Sequence, residues 1–371
     1  MIMIITIITG GNMMDQTDKI TTASPARRAA QAPMTRWTGL LFLLLLAAVI
    51  SACGNNGNSA ANGAAAANQP EQTSNTEPSV QPAEPQTLTI KHGYGETEVP
   101  LHPERVAVFG LEDVMLSLDA PMVYAFNFDG YYLGEQLNKL GITTSKTADF
   151  APNLEEVLAS QPDLIVVQQY SIDETSYEAL SKIAPTIAFA PGDWKTSLVE
   201  IGKALGLEDK ASAVLQAHED MIKQAKTDIV NAVGPDKTMV YMRPSEKDLQ
   251  VFFPSFSQLY SILGLNPDAS ITEFQKKTSD DWGINTSLEE LPSITADYIF
   301  AIYGGSLDSA DDYNKLEAAS LGIEQLEVWK SMPAAKQNHV FHVSARHWMS
   351  SGPIAESKQI ADVVAAVTGK Q

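Results

Sequence analysis

Three textures of hydrophobic and polar positions succeed one another along the chain. Residues 40–50 (LLFLLLLAAVI) form an unbroken run of eleven apolar residues. Residues 54–86 carry almost no large apolar side chain. From residue 87 onward, short apolar runs alternate with amphipathic stretches, a pattern of strand, helix, strand. Residues 87–90 with 98–99 read as a hairpin. The runs 105–109, 122–126, 164–167 and 186–189 are continuous, as in strands buried on both faces. Helical patterns fill 112–118 and 154–160, the second halted by Pro162. The same texture returns at 238–242, 249–253, 297–302 and 339–343, before a closing helix at 354–367.

Between these halves, residues 209–233 keep one apolar face through Val214, Met221, Ile222, Ala225, Ile229 and Val230, at i, i+3, i+4 spacing. Gly206 precedes the segment and Gly234-Pro235 stops it. Twenty-five residues at about 1.5 Å each make a rod of about 37 Å, long enough to bridge two lobes. The predicted fold class is α/β: two lobes, each a central, mainly parallel sheet flanked by helices, joined by one long α-helix.

The apolar run near the start is too short for a membrane span, which needs about 20 residues. Arg36 before it and small residues after it fit an export signal. It leads into Ser51-Ala52-Cys53, which resembles a bacterial lipobox. That resemblance implies cleavage before Cys53 and lipidation of its sulfur, where more than one acyl chain gives stable anchoring. The organisation is then a leader at 1–33, a signal peptide at 34–52 and a flexible tether at 53–86. An N-terminal lobe follows at 87–208, the connecting helix at 209–233 and a C-terminal lobe at 234–371. The expected location is the extracytoplasmic face of the cell membrane, and a long polar tether suits a Gram-positive surface.

Charge and cysteine content narrow the function. Lys and Arg total 25 against 45 Asp and Glu, a net charge of −20. Nucleic acid is excluded as a partner, because phosphate neutralisation needs a basic face. The single cysteine rules out an intrachain disulfide and a thiolate metal cluster. The chain contains no G-x-S-x-G elbow, no H-E-x-x-H and no phosphate-binding G-x-x-x-x-G-K-[ST] loop. An enzyme such as a surface-anchored hydrolase is therefore the disfavoured alternative.

Residues 153–165 (NLEEVLASQPDLI) resemble a segment of the substrate-binding proteins that serve ATP-driven importers of ferric siderophores, haem and cobalamin. Residues 287–300 (SLEELPSITADYIF) repeat the helix-then-strand theme. Residues 103–108, 194–206 and 351–355 (SGPIA, after Trp348) agree with the same family, so the likeness covers about residues 88–368. It implies a ligand cleft between the lobes, a rigid helix across the back and no enzymatic turnover. It also implies one docking glutamate per lobe for the membrane permease, here Glu155 and Glu289, with Glu156 and Glu290 adjacent as alternatives. The implied partners are a ferric siderophore, ABC permease subunits and a lipid anchor, with the receptor itself a monomer.

Ligands of open α/β sheets sit beyond the carboxyl ends of strands. That rule singles out Arg243 and Arg346, two of the three arginines after Cys53. Their planar forks match hydroxamate, catecholate or carboxylate oxygens. Arg105 opens a strand and reads as structural. Tyr131, Tyr132, Tyr170, Trp194, Phe253, Tyr303 and Trp348 are candidate flat walls for a chelate. His347, with Met349 nearby, leaves haem open as an alternative ligand, and cobalamin remains another. No resident cofactor or protein-held metal is expected, because a siderophore already wraps its iron. The six histidines form no convincing ligand set.

Overall fold

Continuous apolar runs become the central strands of two sheets. The computed structural model describes residues 87–369 apart from 146–151, 191, 258 and 306–308. The export signal, Cys53 and the tether lie outside the described residues. A hairpin opens the fold, β1 (Thr87–His92) paired antiparallel with β2 (Gly95–Pro100). There follow β3 (Val106–Phe109), β4 (Met122–Phe126), β5 (Thr143–Ser145), β6 (Leu164–Gln168) and β7 (Thr186–Phe189). These five are all parallel, in the order β5-β4-β3-β6-β7.

Helices cover both faces of this sheet: α1 (Glu112–Ser117), α2 (Gly134–Leu140), α3 (Leu154–Ala159), α4 (Glu174–Ser181) and α5 (Trp194–Leu205). The period of two along a strand divides the core. Val106 and Val108 share one cluster with Val114 of α1 and Leu198 of α5. Ala107 and Phe109 share the other with Val157 of α3 and Leu180 of α4.

After α6 (Glu208–Val233), the second sheet is built from β8 (Thr238–Pro244), β9 (Leu249–Phe252), β10 (Asn266–Pro267), β11 (Gly283–Thr286), β12 (Tyr298–Tyr303) and β13 (Val340–Ser344). Its order is β11-β9-β8-β12-β13, with the two-residue β10 beside β8. The helices are α7 (Leu259–Ile262), α8 (Ala269–Gln275), α9 (Ala310–Ile323), α10 (Glu327–Ser331), α11 (Pro333–Lys336), α12 (Ala345–Trp348) and α13 (Pro353–Thr368). Leaving β10 aside, both sheets run third, second, first, fourth, fifth. One strand differs: β9 is antiparallel to β8, whereas its counterpart β4 is parallel to β3.

The connecting helix is a rod of about 39 Å, with Glu208 and Asp209 in its first turn, where the helix dipole favours acids. Val214 and Leu215 pack on the first core, and Ile222, Ala225 and Ile229 join the second. The buried stripe runs Ala211, Val214, His218, Ile222, Ala225 and Ile229. Met221, expected on that face, is 39% exposed. Its place on the stripe is taken by His218, a polar residue that an apolar-periodicity count passes over.

A second connection joins the lobes at α13. Its first turn has no cap from its own chain neighbours. Instead the Asp113 carboxylate of α1 accepts the backbone N–H groups of Ile354 and Ala355, both at 2.8 Å. Two residues on, Glu356 accepts the Trp194 indole N–H of α5 at 2.7 Å. The same carboxylate lies 3.1 Å from His218 Nε2, without hydrogen-bond alignment. Acids thus tie the start of α13 to α1, α5 and α6 at once.

Candidate functional site

The loops beyond the carboxyl ends of both sheets meet. Arg346, just after β13, is 7% exposed. Its guanidinium carbon lies 4.8 Å from the Tyr313 ring centre in its own lobe and 5.6 Å from that of Phe128 in the other. Gly130 has φ +78°, and a Cβ placed there would come within 2.9 Å of Arg346 Nη2. Glycine at 130 therefore meets both a left-handed backbone and the close approach of a cation. The Ser344 hydroxyl accepts the Arg346 backbone N–H at 3.3 Å and contacts the Tyr313 hydroxyl at 3.0 Å, which ties the pair to the end of β13.

Arg243 lies at the end of β8, in the same relation to its sheet. It lines a pocket of about 150 Å³ with Ser245, Asp248 and Gln250. Because β9 returns antiparallel, its amino end lies beside Arg243: Gln250 is the strand partner of Arg243. The turn between the strands is closed by Ser245, whose backbone N–H donates to Asp248 O at 2.8 Å and whose hydroxyl bonds the Asp248 carboxylate.

Tyr131 and Tyr132 are half-buried on the first lobe's side of the junction. Tyr131 stacks on Phe128 with centroids 4.6 Å apart. The Tyr132 hydroxyl donates to Asp113 at 2.8 Å and that of Tyr131 reaches Glu112 at 3.5 Å. Glu112 is fully buried and also accepts the N–H groups of Gly110 and Phe126, at 3.0 and 3.1 Å. Burial pushes its carboxyl up to about 7 against the opposing pull of those donors. Burial likewise raises Asp113 to about 6, while the Ile354 N–H, the Tyr132 hydroxyl and the Ala355 N–H pull it down. Tyr170 is 50% exposed beyond β6. The Tyr94 hydroxyl pins its loop through the Ile172 carbonyl at 2.7 Å.

Four expected wall residues, and His347 with them, do not face this junction. Phe253 is 1% exposed and follows the end of β9, which points away because that strand is antiparallel. The carboxyl-end rule holds only for strands parallel to the first. Tyr303 ends β12 but is buried, with its hydroxyl bonded to Glu324 and His342 edge-on to its ring. Trp194 is spent on Glu356 and His218. Trp348 packs on Tyr241 and Phe300 and donates its indole N–H to Asp362 at 2.8 Å. His347 turns the same way, its Nε2 2.7 Å from Asp362, and Met349 packs on that core. The pair expected for haem iron is thus turned inward. Tyr313 and the turn residue Asp248 were not expected at the site. Phe128 lies in a loop that the carboxyl-end rule marks, but Tyr313 arrives from a helix and Asp248 from a reversed strand.

Arg105 is structural: its guanidinium donates to the Ser160 and Gln161 carbonyls that end α3. Glu155 and Glu289 occupy equivalent places, each at the start of a helical turn that follows the edge strand, β5 or β11. Both side chains are exposed. Each backbone N–H is capped two residues back, by Asn153 at 3.1 Å and Ser287 at 3.2 Å. Their neighbours are engaged, Glu156 with the Tyr124 hydroxyl at 2.6 Å and Glu290 with Lys277 at 2.8 Å.

Two α/β lobes whose carboxyl-end loops converge, with a long helix across them, define a two-lobed substrate-binding protein. The chain belongs to the periplasmic binding protein family, whose model matches residues 132–346. It is 31% identical to the iron(3+)-hydroxamate-binding protein FhuD of Bacillus subtilis, over 76% of this chain and 87% of that one. It is 27% identical to a putative ABC transporter substrate-binding lipoprotein, YhfQ, of the same organism, over 74% and 86%. A crystal structure of a FhuD-fold periplasmic binding component of a ferrichrome ABC transporter from Bacillus subtilis superposes with a TM-score of 0.62. That structure is 28% identical, and the match covers 75% of this chain and 99% of the other. These relatives are substrate-binding proteins, not enzymes. No helix among the described residues is long and apolar enough to cross a membrane.

Proposed function

We propose that the protein is the extracytoplasmic, lipid-anchored receptor of an ABC importer, and that it captures a ferric siderophore of the hydroxamate class between its lobes. The observation that carries this reading is Arg346, a buried guanidinium held between rings of opposite lobes, in a chain 31% identical to an iron-hydroxamate-binding protein. A guanidinium fork at the lobe junction suits the oxygen-rich shell of a ferric chelate. Arg243 supplies a second cation, and Tyr131, Tyr132 and Tyr170 supply partly exposed rings. The iron arrives already chelated, so the receptor needs no metal ligands or cofactor of its own.

Delivery would use Glu155 and Glu289, the two exposed carboxylates at matching corners, docking on basic residues of the permease. The pairing of Glu156 and Glu290 within their own lobes favours 155 and 289 over them. Anchoring would use Cys53, and incorporation of labelled palmitate, lost in Cys53→Ala, tests it. The receptor reading is tested by tryptophan-fluorescence titration with ferrichrome, a ferric catecholate, ferric citrate, haem and cobalamin. Saturable quenching by ferrichrome at submicromolar concentration is expected. A response confined to another ligand overturns the class.

A further inference from the structure

The pocket beside Arg243 holds an acid as well as a base, and its volume limits what enters. At about 150 Å³ it is well below the ~300–1,000 Å³ that houses a drug-sized ligand. It is a recess open to solvent with room for one arm of a chelate. Its wall contains Arg243, Ser245, Gln250 and the exposed Asp248. One Asp248 oxygen takes the Ser245 hydroxyl. The neighbouring turn residues Glu246 and Lys247 are both exposed and of opposite sign, so they add no net charge.

The whole chain, at −20, is set against anionic ligands. Of its cations near the site, Arg346 is stacked between Phe128 and Tyr313, and Arg243 shares its pocket with Asp248. A triscatecholate ferric complex carries several negative charges and would need clustered arginines to offset this field. A trihydroxamate complex has a neutral core, and any free amine on its arm makes it cationic.

We propose that Asp248 is a specificity residue that reads a cationic arm of the ligand, so that the receptor prefers ferric trihydroxamates ending in a free ammonium over those ending in a neutral or acidic group. This rests on the hydroxamate reading above. Asp248 lies in the turn after β8, at the same carboxyl edge of the sheet as Arg346 after β13, with β12 between the two strands. The Arg243 fork then holds the arm's carbonyl oxygens while the Asp248 carboxylate takes the ammonium.

The test uses three probes with one iron core: ferrioxamine B, its N-acetyl derivative and its N-succinyl derivative, with arm charges of about +1, 0 and −1 at neutral pH. Dissociation constants come from fluorescence quenching of the purified protein and of Asp248→Asn. The expected order is ammonium tightest and succinyl weakest. The ammonium form should lead the acetyl form by about fivefold at low salt, the scale of a solvent-accessible ion pair. Asp248→Asn should erase the gap between the ammonium and acetyl forms, and raised salt should narrow it in the parent protein. Equal affinity for all three in the parent protein, or a preference that survives Asp248→Asn, overturns the assignment of Asp248 while leaving the hydroxamate reading intact. Failure of all three to bind overturns the inference, and ferrichrome titrated alongside shows separately whether the hydroxamate reading stands.

Discussion

Arg346 carries two loads at once. Its guanidinium lies over the rings of Tyr313 and Phe128, and on the reading proposed above its charge also meets the ligand. Lysine keeps the charge and loses the flat fork. Arg346→Lys should therefore weaken ferric-hydroxamate binding at least tenfold in fluorescence titration, with apo unfolding shifted only slightly; an unchanged constant would remove Arg346 from the site. Glu112 makes a pH prediction. Its carboxyl holds a proton up to about pH 7 in the fold, well above the ordinary carboxylate range. The stability tied to that proton is complete below the unfolded value and is lost as pH rises through about 7. Thermal unfolding should therefore occur at a lower temperature at pH 8 than at pH 5. Glu112→Gln, which keeps an acceptor without the charge, should reduce that difference, and Asp113, raised to about 6, should supply the remainder. The position of Arg346 beyond the carboxyl end of β13 was legible from its place after an apolar strand. The inward turn of His347 and Trp348 was not, because their partner Asp362 lies fourteen residues and more away on another helix.

At the scale of elements, strands were readable because both of their faces are buried, which leaves runs such as Val106 to Phe109 without a polar residue. Strand direction was not readable. β9 carries the same apolar texture as the parallel strands, and only the short Ser245 to Asp248 turn, too short for a crossover, marks it as antiparallel. That misplaced Phe253 and concealed Asp248. Helix α13 was legible as a closing helix, yet its cap comes from Asp113, 241 residues earlier. Asp113→Ala leaves two backbone N–H groups without their acceptor and should cost about 1–2 kcal/mol. Faster amide exchange at residues 354 and 355, together with a lower unfolding temperature, is the expected readout. Unchanged exchange there would mean that the cap contributes nothing to the joint between lobes.

For the whole molecule, α6 and the base of α13 give the lobes two attachments. A single hinge would let them swing; two fixed points restrict them to small adjustments. Glu155 and Glu289 then keep a constant spacing, which is what a two-point dock onto a permease requires. Glu155→Ala with Glu289→Ala should abolish siderophore uptake by cells while leaving the dissociation constant of the purified receptor unchanged. Normal uptake would exclude these two carboxylates as the docking pair. The two-lobe plan was legible because its pattern repeats, strand texture on either side of one long helix. The meeting of the lobes was not, since Gly130, Asp113 and Arg346 belong together only once the chain is folded.

The reversed β9 has a consequence for how such a receptor changes over generations. In the first lobe, the chain between β3 and β4 is a helix buried in the core, and few substitutions there would be tolerated. In the second lobe, the matching connection is a solvent-facing turn of which Glu246, Lys247 and Asp248 are exposed. Replacing its side chains disturbs no packed layer. Diet can therefore drift faster than architecture: a lineage could exchange one iron source for another through this turn alone, while both cores and the delivery corners stay as they are.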